Sequence, residues 1–306
     1  MTPAQTAAEA VVRERLRERA TLLLATDQDV IKLLQDAKTR ITEQLAAMPS
    51  DFSQWRLPPL LVQIEATLDG ATANAAARVD TGLRAGWQAG EDFVDKPLAA
   101  AGNPVEMRLQ LLDVTVLGQL RNFTTGRIQD IGAEALRKIN SSLGLVTLGA
   151  QTPFDAIKAI QGTLGDESTR RATTIVRTEV GRAFAMASQQ RMEQAAELVP
   201  GLQKQWRRSG KIHSRWNHDV IDGQVVDVDK PFILPSDDGT VRMMCPHDPK
   251  APVSEVINCG CISVPFMKGW QVMTPGAKPF TELELKMNNR KALLDQMAKR
   301  LGARKS

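Results

Sequence analysis

The chain has 306 residues, which is enough for two domains or for one domain with a long extension. Its net charge of +4 is modest, so it permits contact with an acidic surface or nucleic acid without requiring either. Tyrosine is absent and aromatic residues make up 4% of the chain, which disfavours recognition of single strands by base stacking. No stretch is apolar enough to cross a bilayer, and the charged amphipathic start is not typical of a secretory signal. An odd count of three cysteines disfavours a disulfide framework and favours synthesis in a reducing compartment.

The beginning of the sequence has the apolar periodicity of a long amphipathic helix. This periodicity predicts helix from Pro3 to Ala47. Thr26, Asp27 and Asp29 precede a new apolar run, so we expect them to cap a second helix within this region.

Prolines mark the next boundaries. A break is predicted over Met48 to Pro59 and a second linker over Pro97 to Pro104, because proline disrupts a helix interior. Helix is predicted for Leu60 to Ala89, and one long helix or two in series for Val105 to Leu143.

A short helix is predicted to open at Pro153, with Thr152 as its N-cap and proline at the first helical position. Asp166 and Ser168 are expected to begin a further helix that ends before Pro200.

After Pro200 the sequence changes to short β-branched runs separated by Asp-Gly and proline, which predicts strands and turns. Asp222-Gly223 is expected to form the turn of a β-hairpin, and a strand is predicted over Gly239 to Met243. A closing amphipathic helix is predicted from Thr281 to Arg300.

These patterns predict an α+β fold that is mainly helical, with long N-terminal helices and a small β-rich C-terminal module. We expect an extended helical region over residues 1–150, a module of helices and strands over residues 151–268, and an irregular segment with a helix over residues 269–306.

The histidines and cysteines of the chain all fall between residues 213 and 261. They are His213, His218, Cys245, His247, Cys259 and Cys261. Imidazole nitrogen and thiolate sulfur together favour zinc, and a structural zinc site uses four ligands in a tetrahedron. The alternative is that the thiols are small buried hydrophobic groups and the histidines are surface residues.

The preferred ligand set is His218, Cys245, Cys259 and Cys261, with His247 or His213 as the substitute for one of them. Cysteines two apart in a strand point to the same face, so both sulfurs of Cys259-Gly260-Cys261 could face one ion. Asp219 or Asp222 is the expected acceptor for the second ring nitrogen of His218.

The order of several motifs in the second half of the chain carries a family resemblance. The residues are Arg177-Thr178-Glu179 with Arg182-Ala183, then Trp206, Arg215, His218, Asp222-Gly223, Pro246, Asn258-Cys259-Gly260-Cys261 and Pro265. This order resembles the phage Mu F-like head morphogenesis family, the minor capsid proteins of tailed bacteriophages. The chain departs from that pattern at Gly260, where the family usually has arginine.

The resemblance implies a minor head protein of the virion that associates with the portal and acts in head assembly, DNA packaging or ejection. It implies the portal protein as partner, with the major capsid protein as a further one. It places the protein at the portal vertex of the phage capsid after synthesis in the host cytoplasm. On this interpretation the chain is not an enzyme and its zinc is structural. The alternative is a metal-dependent hydrolase or nuclease that uses the His/Cys module.

Charged residues near these motifs have several interpretations. Glu179 could pair with Arg182 on the surface of one helix or with Arg215 in a buried bridge. A catalytic arginine–glutamate pair like that of ADP-ribosyltransferases is disfavoured, because in those enzymes the two residues lie on separate strands. Trp206-Arg207-Arg208 with Lys211 could form a basic patch for weak contact with packaged DNA, or a solvated turn edge.

Overall fold

The structure is a computed structural model that describes residues 1–48, 57–105, 114–209, 215–236 and 239–272. The expected α+β class is confirmed: long helices come first, and a small β-rich region follows. The helices are α1 (Pro3–Ala46), α2 (Leu57–Ala100), α3 (Thr115–Thr147), α4 (Pro153–Gly162), α5 (Ser168–Ala196), α6 (Trp216–Val220) and α7 (Val253–Val256), with a π-helical segment (Thr163–Glu167) before α5. The strands are β1 (Leu202–Arg207), β2 (Val225–Asp227), β3 (Phe232–Ser236), β4 (Gly239–Met243) and β5 (Ile262–Met267). The predicted helix from Thr281 to Arg300 lies outside the described residues.

Helix α1 is continuous, so the predicted second helix start near Thr26 is wrong. The Thr26 hydroxyl donates to the carbonyl of Leu22 one turn earlier, which leaves the helical hydrogen bonds intact. Asp27 accepts two hydrogen bonds from Arg177 instead of capping a helix.

Prolines act at the ends of α2. Pro58 and Pro59 stand in its first turn, where the missing N–H groups have no helical partner in any case. The helix then runs through Pro97 to Ala100, so the predicted linker over Pro97 to Pro104 begins too early.

The N-cap expected for α4 is confirmed, because the Thr152 hydroxyl accepts from the N–H of Asp155 at 3.2 Å.

Two small sheets make up the β region. One has the order β2-β1-β5, and both of its pairs are antiparallel. The other is the antiparallel pair β3-β4, which confirms the strand predicted over Gly239 to Met243. The hairpin predicted at Asp222-Gly223 is wrong, because the residues before it form α6 and β2 pairs with β1. The turn itself is present, with Gly223 in the left-handed region at φ 87°.

The described chain forms two compact units, to which α1, α2 and α5 each contribute segments. Unit 1 comprises residues 1–19, residues 86–105 and the described residues from 181 onward. Unit 2 comprises residues 20–48, 57–85 and 114–180.

Unit 2 is helical and its core is aliphatic. Its main cluster is Ile41, Leu45, Leu60, Ile64, Leu68, Ala135, Ile139, Leu143, Ile160 and Leu164. The Arg-Thr-Glu motif of α5 supports this unit through ion pairs: Arg177 binds the buried Asp27 of α1, and the buried Glu179 binds Arg127 of α3 at 3.1 Å. The partner of Glu179 in this ion pair is Arg127, not Arg182 or Arg215 as proposed from the sequence.

Unit 1 contains a close crossing of α2 and α5. A Cβ atom on Gly90 would lie 2.4 Å from the carbonyl oxygen of Phe184 and 2.8 Å from the Cβ of Ala187. Ser188 donates to the Gly90 carbonyl at 3.0 Å across this contact. Asp95 of α2 and Arg191 of α5 form a buried bidentate ion pair next to it. The absence of a side chain at Gly90 therefore sets the separation of the two helices.

We predict that Gly90→Ala lowers the free energy of unfolding by about 1–3 kcal/mol, because the added methyl group forces the helices apart. In an open helix the same substitution stabilises by about 0.5–1 kcal/mol. Gly118→Ala in α3 is the matched control, since apart from the local helix backbone nothing in the described parts of the chain lies within 4 Å of its added Cβ. Urea unfolding of both variants measures the difference, and equal effects would contradict this account of the crossing.

Candidate metal centre

Three of the four predicted ligands come together in unit 1. His218 lies on α6, and Cys259 and Cys261 lie in the loop that leads from α7 to β5. Each sulfur lies 3.5 Å from Nδ1 of His218, and the three ligand atoms are all within 4.8 Å of one another. All three side chains are buried, so this group could hold a metal ion.

The nitrogen–sulfur distances fit a tetrahedral zinc ion. Zn–S bonds of about 2.3 Å and Zn–N bonds of about 2.0–2.1 Å at a tetrahedral angle separate the two ligand atoms by about 3.6 Å. The two 3.5 Å separations in the structure match this edge length. The three ligand atoms are therefore close enough together to bind one ion.

The other nitrogen of His218 is held by a carboxylate. Nε2 lies 2.9 Å from Oε2 of Glu255, which also accepts a hydrogen bond from Asn217 at 3.1 Å. A histidine that binds metal through one nitrogen commonly donates its other N–H to such a carboxylate, which fixes the ring and its tautomer.

Glu255 takes the role predicted for Asp219 or Asp222, so that prediction is wrong. Asp222 instead accepts from the backbone N–H of Arg208 at 3.0 Å, and Asp219 lies 3.9 Å from the Arg208 guanidinium. Nothing in the sequence spacing singles out Glu255, because it becomes a neighbour of His218 only through the packing of α7 against α6.

The two cysteines shift each other's pKa in opposite directions. A hydrogen bond from the Cys261 thiol lowers the pKa of Cys259 well below its ordinary value, and the same bond raises the pKa of Cys261. Burial acts to lower the pKa of His218, but hydrogen bonds with Cys259 and Glu255 raise it overall. The lowered pKa of Cys259 favours the thiolate, which is the form of cysteine that binds metal.

Cys245 does not belong to this group of ligand atoms, which corrects the predicted four-residue set. Its electrostatic neighbours are Asp248 and Lys204, and burial raises the pKa of its thiol to about 12. Lys204 is buried beside Cys245, and its amino group donates to Gln189 and to the carbonyl of Met244. Burial lowers the pKa of Lys204 to about 8. The close spacing of Cys245 and His247 in sequence therefore does not bring the Cys245 sulfur to the cluster.

His247 is fully buried, and burial lowers the pKa of its ring to about 4. A Cβ on Gly181 of α5 would lie 2.9 Å from its Nε2. His213 lies outside the described residues.

The cysteine loop differs from the predicted strand. Cys259 and Cys261 precede β5, and the chain reaches them through Asn258 in the left-handed conformation at φ 53°. Arg215 donates to the carbonyl of Ile257 at 2.7 Å and fixes the start of this loop. The two sulfurs converge through loop geometry, not through the alternation of a strand.

The predicted basic patch is not an exposed surface. Trp206 is fully buried and its indole N–H donates to the carbonyl of His218 at 3.1 Å. Arg207 pairs with Glu9, and Arg208 lies close to the carboxylates of Asp219 and Asp222. Lys211 lies outside the described residues.

Arg19 of α1 is a further neighbour of the cluster that sequence reasoning missed. Burial lowers the pKa of its guanidinium, and the nearby Cys259 and Cys261 oppose that shift. Its guanidinium carbon lies 4.8 Å from the centre of the Phe184 ring. The sequence separation of more than two hundred residues from the cysteines leaves no local signal for this contact.

Among the described residues, none of the helices combines the length and apolar content that a membrane span requires. No family model matches the chain. No solved structure gives a significant match.

Two curated proteins are similar to part of the chain. One is the NAD(+)--arginine ADP-ribosyltransferase EFV of Enterococcus faecalis, 33% identical over 109 residues, which is 34% of this chain and 20% of that protein. The other is the uncharacterized protein YqbB of Bacillus subtilis, 37% identical over 99 residues, which is 32% of this chain and 31% of that protein. The matches thus span about a fifth and about a third of these relatives.

The relative from Enterococcus faecalis overturns the expectation that the chain is not an enzyme, because that protein is named as one.

We predict that Glu255→Gln weakens metal binding by about 10–100-fold, since a neutral amide holds the His218 ring less firmly and makes its ligating nitrogen less basic. Competition with a zinc chelator measures the affinity. Glu65→Gln, at an exposed position of α2 in unit 2, is the control and should leave the affinity unchanged. An E255Q variant with wild-type affinity would show that Glu255 does not support metal binding through the His218 ring.

Proposed function

We propose that the chain is a minor head protein of a tailed phage whose unit 1 contains a structural zinc ion bound by His218, Cys259 and Cys261. The observation that carries the zinc assignment is the pair of 3.5 Å distances from Nδ1 of His218 to the two sulfurs. Glu255 on the opposite nitrogen supports it, because the ring is oriented before the metal arrives.

The surroundings of the cluster favour a structural role for the ion. Both cysteines belong to the apolar cluster that includes Trp206, Phe232 and Met243. A zinc ion would link α6 to the loop before β5 in a region whose sheets have three and two strands. Such small modules gain much of their folding free energy from the metal.

The virion assignment rests on the order of motifs from Arg177 to Pro265 and on surfaces suited to protein partners. In unit 2, Leu148 is 80% exposed and Phe154 is 74% exposed at the connection between α3 and α4. These two apolar side chains are open to contact with another protein, and contact would have to extend beyond them, because single exposed apolar residues are common on protein surfaces. On this proposal the partners are the portal protein and the major capsid protein at the portal vertex, with weak contact to packaged DNA.

Zinc binding can be tested by measuring the metal content of the purified chain. We expect one zinc per chain, and we expect chelation to lower the unfolding temperature. Cys259→Ser and Cys261→Ser should each lose the metal, whereas Cys245→Ser should keep it because this thiol lies outside the cluster. If Cys245→Ser lost zinc while Cys259→Ser and Cys261→Ser kept it, the proposed ligand set would be contradicted.

The virion assignment is tested by mass spectrometry of particles purified from a phage that encodes this chain. We expect peptides of the chain at low copy number, together with those of the portal protein. Particles from a strain with the gene deleted serve as the control. Mature, DNA-filled and infectious particles without the protein would contradict a role in head assembly, packaging or ejection.

A second candidate is transfer of ADP-ribose to arginine, which the similarity to the Enterococcus faecalis enzyme favours. In that reaction the bond between ribose and nicotinamide breaks, a guanidine nitrogen takes the ADP-ribose, and nicotinamide and a proton are released. Incubation of the chain with labelled NAD+ and an arginine-rich acceptor protein tests it, with heat-denatured chain as the control. Label on the acceptor would support this function, and an acceptor without label would exclude it for the isolated chain.

A further inference from the structure

We infer that His247 is the fourth ligand of the zinc ion, so that His218, His247, Cys259 and Cys261 form a closed site. This inference rests on the zinc site proposed above and extends it. Three protein ligands would leave an open position of the kind that catalytic zinc uses, whereas four protein ligands exclude water and define a structural site. The fourth ligand therefore decides what kind of centre this is.

His247 combines complete burial with unused ligand atoms. It is 0% exposed, and neither of its ring nitrogens has a hydrogen-bond partner within the described parts of the chain. A buried imidazole without partners costs about 1–3 kcal/mol, so such a side chain is normally satisfied by another group. A metal bond would remove this cost at one nitrogen.

The ring lies next to the cysteine loop. It interacts electrostatically with Cys259 and with the guanidinium groups of Arg19 and Arg182, and it approaches the Cys259 backbone without a hydrogen bond of normal geometry. Its nitrogens lie outside the set of ligand atoms that are all within 4.8 Å of one another, so ligation requires the ring to move toward the sulfurs. On its other side it contacts α5 at Gly181, where any larger residue would press on Nε2. His247 is thus enclosed between a helix surface and one of the two metal-binding sulfurs.

The backbone around His247 fixes this position. His247 itself has φ 66°, a left-handed conformation that is uncommon for non-glycine residues, although histidine adopts it more often than most. Asp248 holds the loop by accepting from the N–H groups of Met244 and Lys250, at 2.7 and 2.8 Å. Arg182 donates to the carbonyl of His247 at 3.4 Å.

The other candidates for the fourth position have different partners. Cys245 lies among Lys204 and Asp248. Glu255 is bonded to His218 and Asn217, and Asp219 lies in an ion pair with Arg208. Ligation by His247 also gives a neutral centre, because two thiolates balance Zn²⁺ and both imidazoles are uncharged.

The first experiment counts the ligands in the zinc-loaded wild-type chain by X-ray absorption spectroscopy. We expect two sulfur and two imidazole ligands. Two sulfurs with one imidazole would overturn the role of His247 while leaving the zinc site in place. A third sulfur would assign the position to Cys245. A chain that binds no zinc would overturn the proposed zinc site itself, and His247 with it.

The second experiment compares cobalt-loaded variants by visible spectroscopy, because four-coordinate cobalt absorbs far more strongly than cobalt with added water ligands. We expect His247→Ala to lose most of this absorption and to bind zinc about 100-fold more weakly. Cys245→Ser is the matched control, a buried residue two positions away that should keep the wild-type spectrum. An H247A spectrum equal to that of wild type would overturn the inference. Ligand counting on the wild type needs no variant, so it decides the question even if H247A fails to fold.

Discussion

The β-rich part of unit 1 depends on how one imidazole ring is held. The ring of His218 lies between the carboxylate of Glu255 on one side and the sulfurs of Cys259 and Cys261 on the other. Its backbone carbonyl accepts from the indole of Trp206, whose ring also meets the imidazole edge-on at 5.2 Å. One residue therefore joins β1, α6, α7 and the loop before β5.

Electrostatics explains why these groups can be buried together. A thiolate alone in an apolar cluster would be costly, but the Cys261 thiol, the His218 imidazole and the guanidinium of Arg19 lie near Cys259 and favour its charged form. The burial of these side chains among Trp206, Phe232 and Met243 keeps the cluster within the apolar core of the β-rich region.

Sequence periodicity was sufficient to predict the helical majority of the fold and its α+β class. It failed at Thr26, because the hydroxyl of a mid-helix threonine can donate to the preceding turn without breaking the helix. It failed at Pro97, because a proline in the last turns of α2 is compatible with a continuous helix. For the candidate metal centre, residue type predicted three residues that the structure brings together, whereas Cys245 lies outside that group. The roles of Glu255 and Arg19 could not be predicted, since both arise from contacts between elements that lie far apart in sequence.

The division of unit 1 among separated stretches of chain has a consequence for folding during synthesis. Glu9 on α1 pairs with Arg207 at the end of β1, 198 residues later. At about 5–20 residues per second, a ribosome needs roughly 10–40 seconds to make the intervening chain. Val12 of α1 can meet Phe93 of α2 early, but Ile262 and Val264 of the same apolar cluster are made much later. During that interval the apolar stripe of α1 is open to chaperones or to the same stripe on another nascent chain.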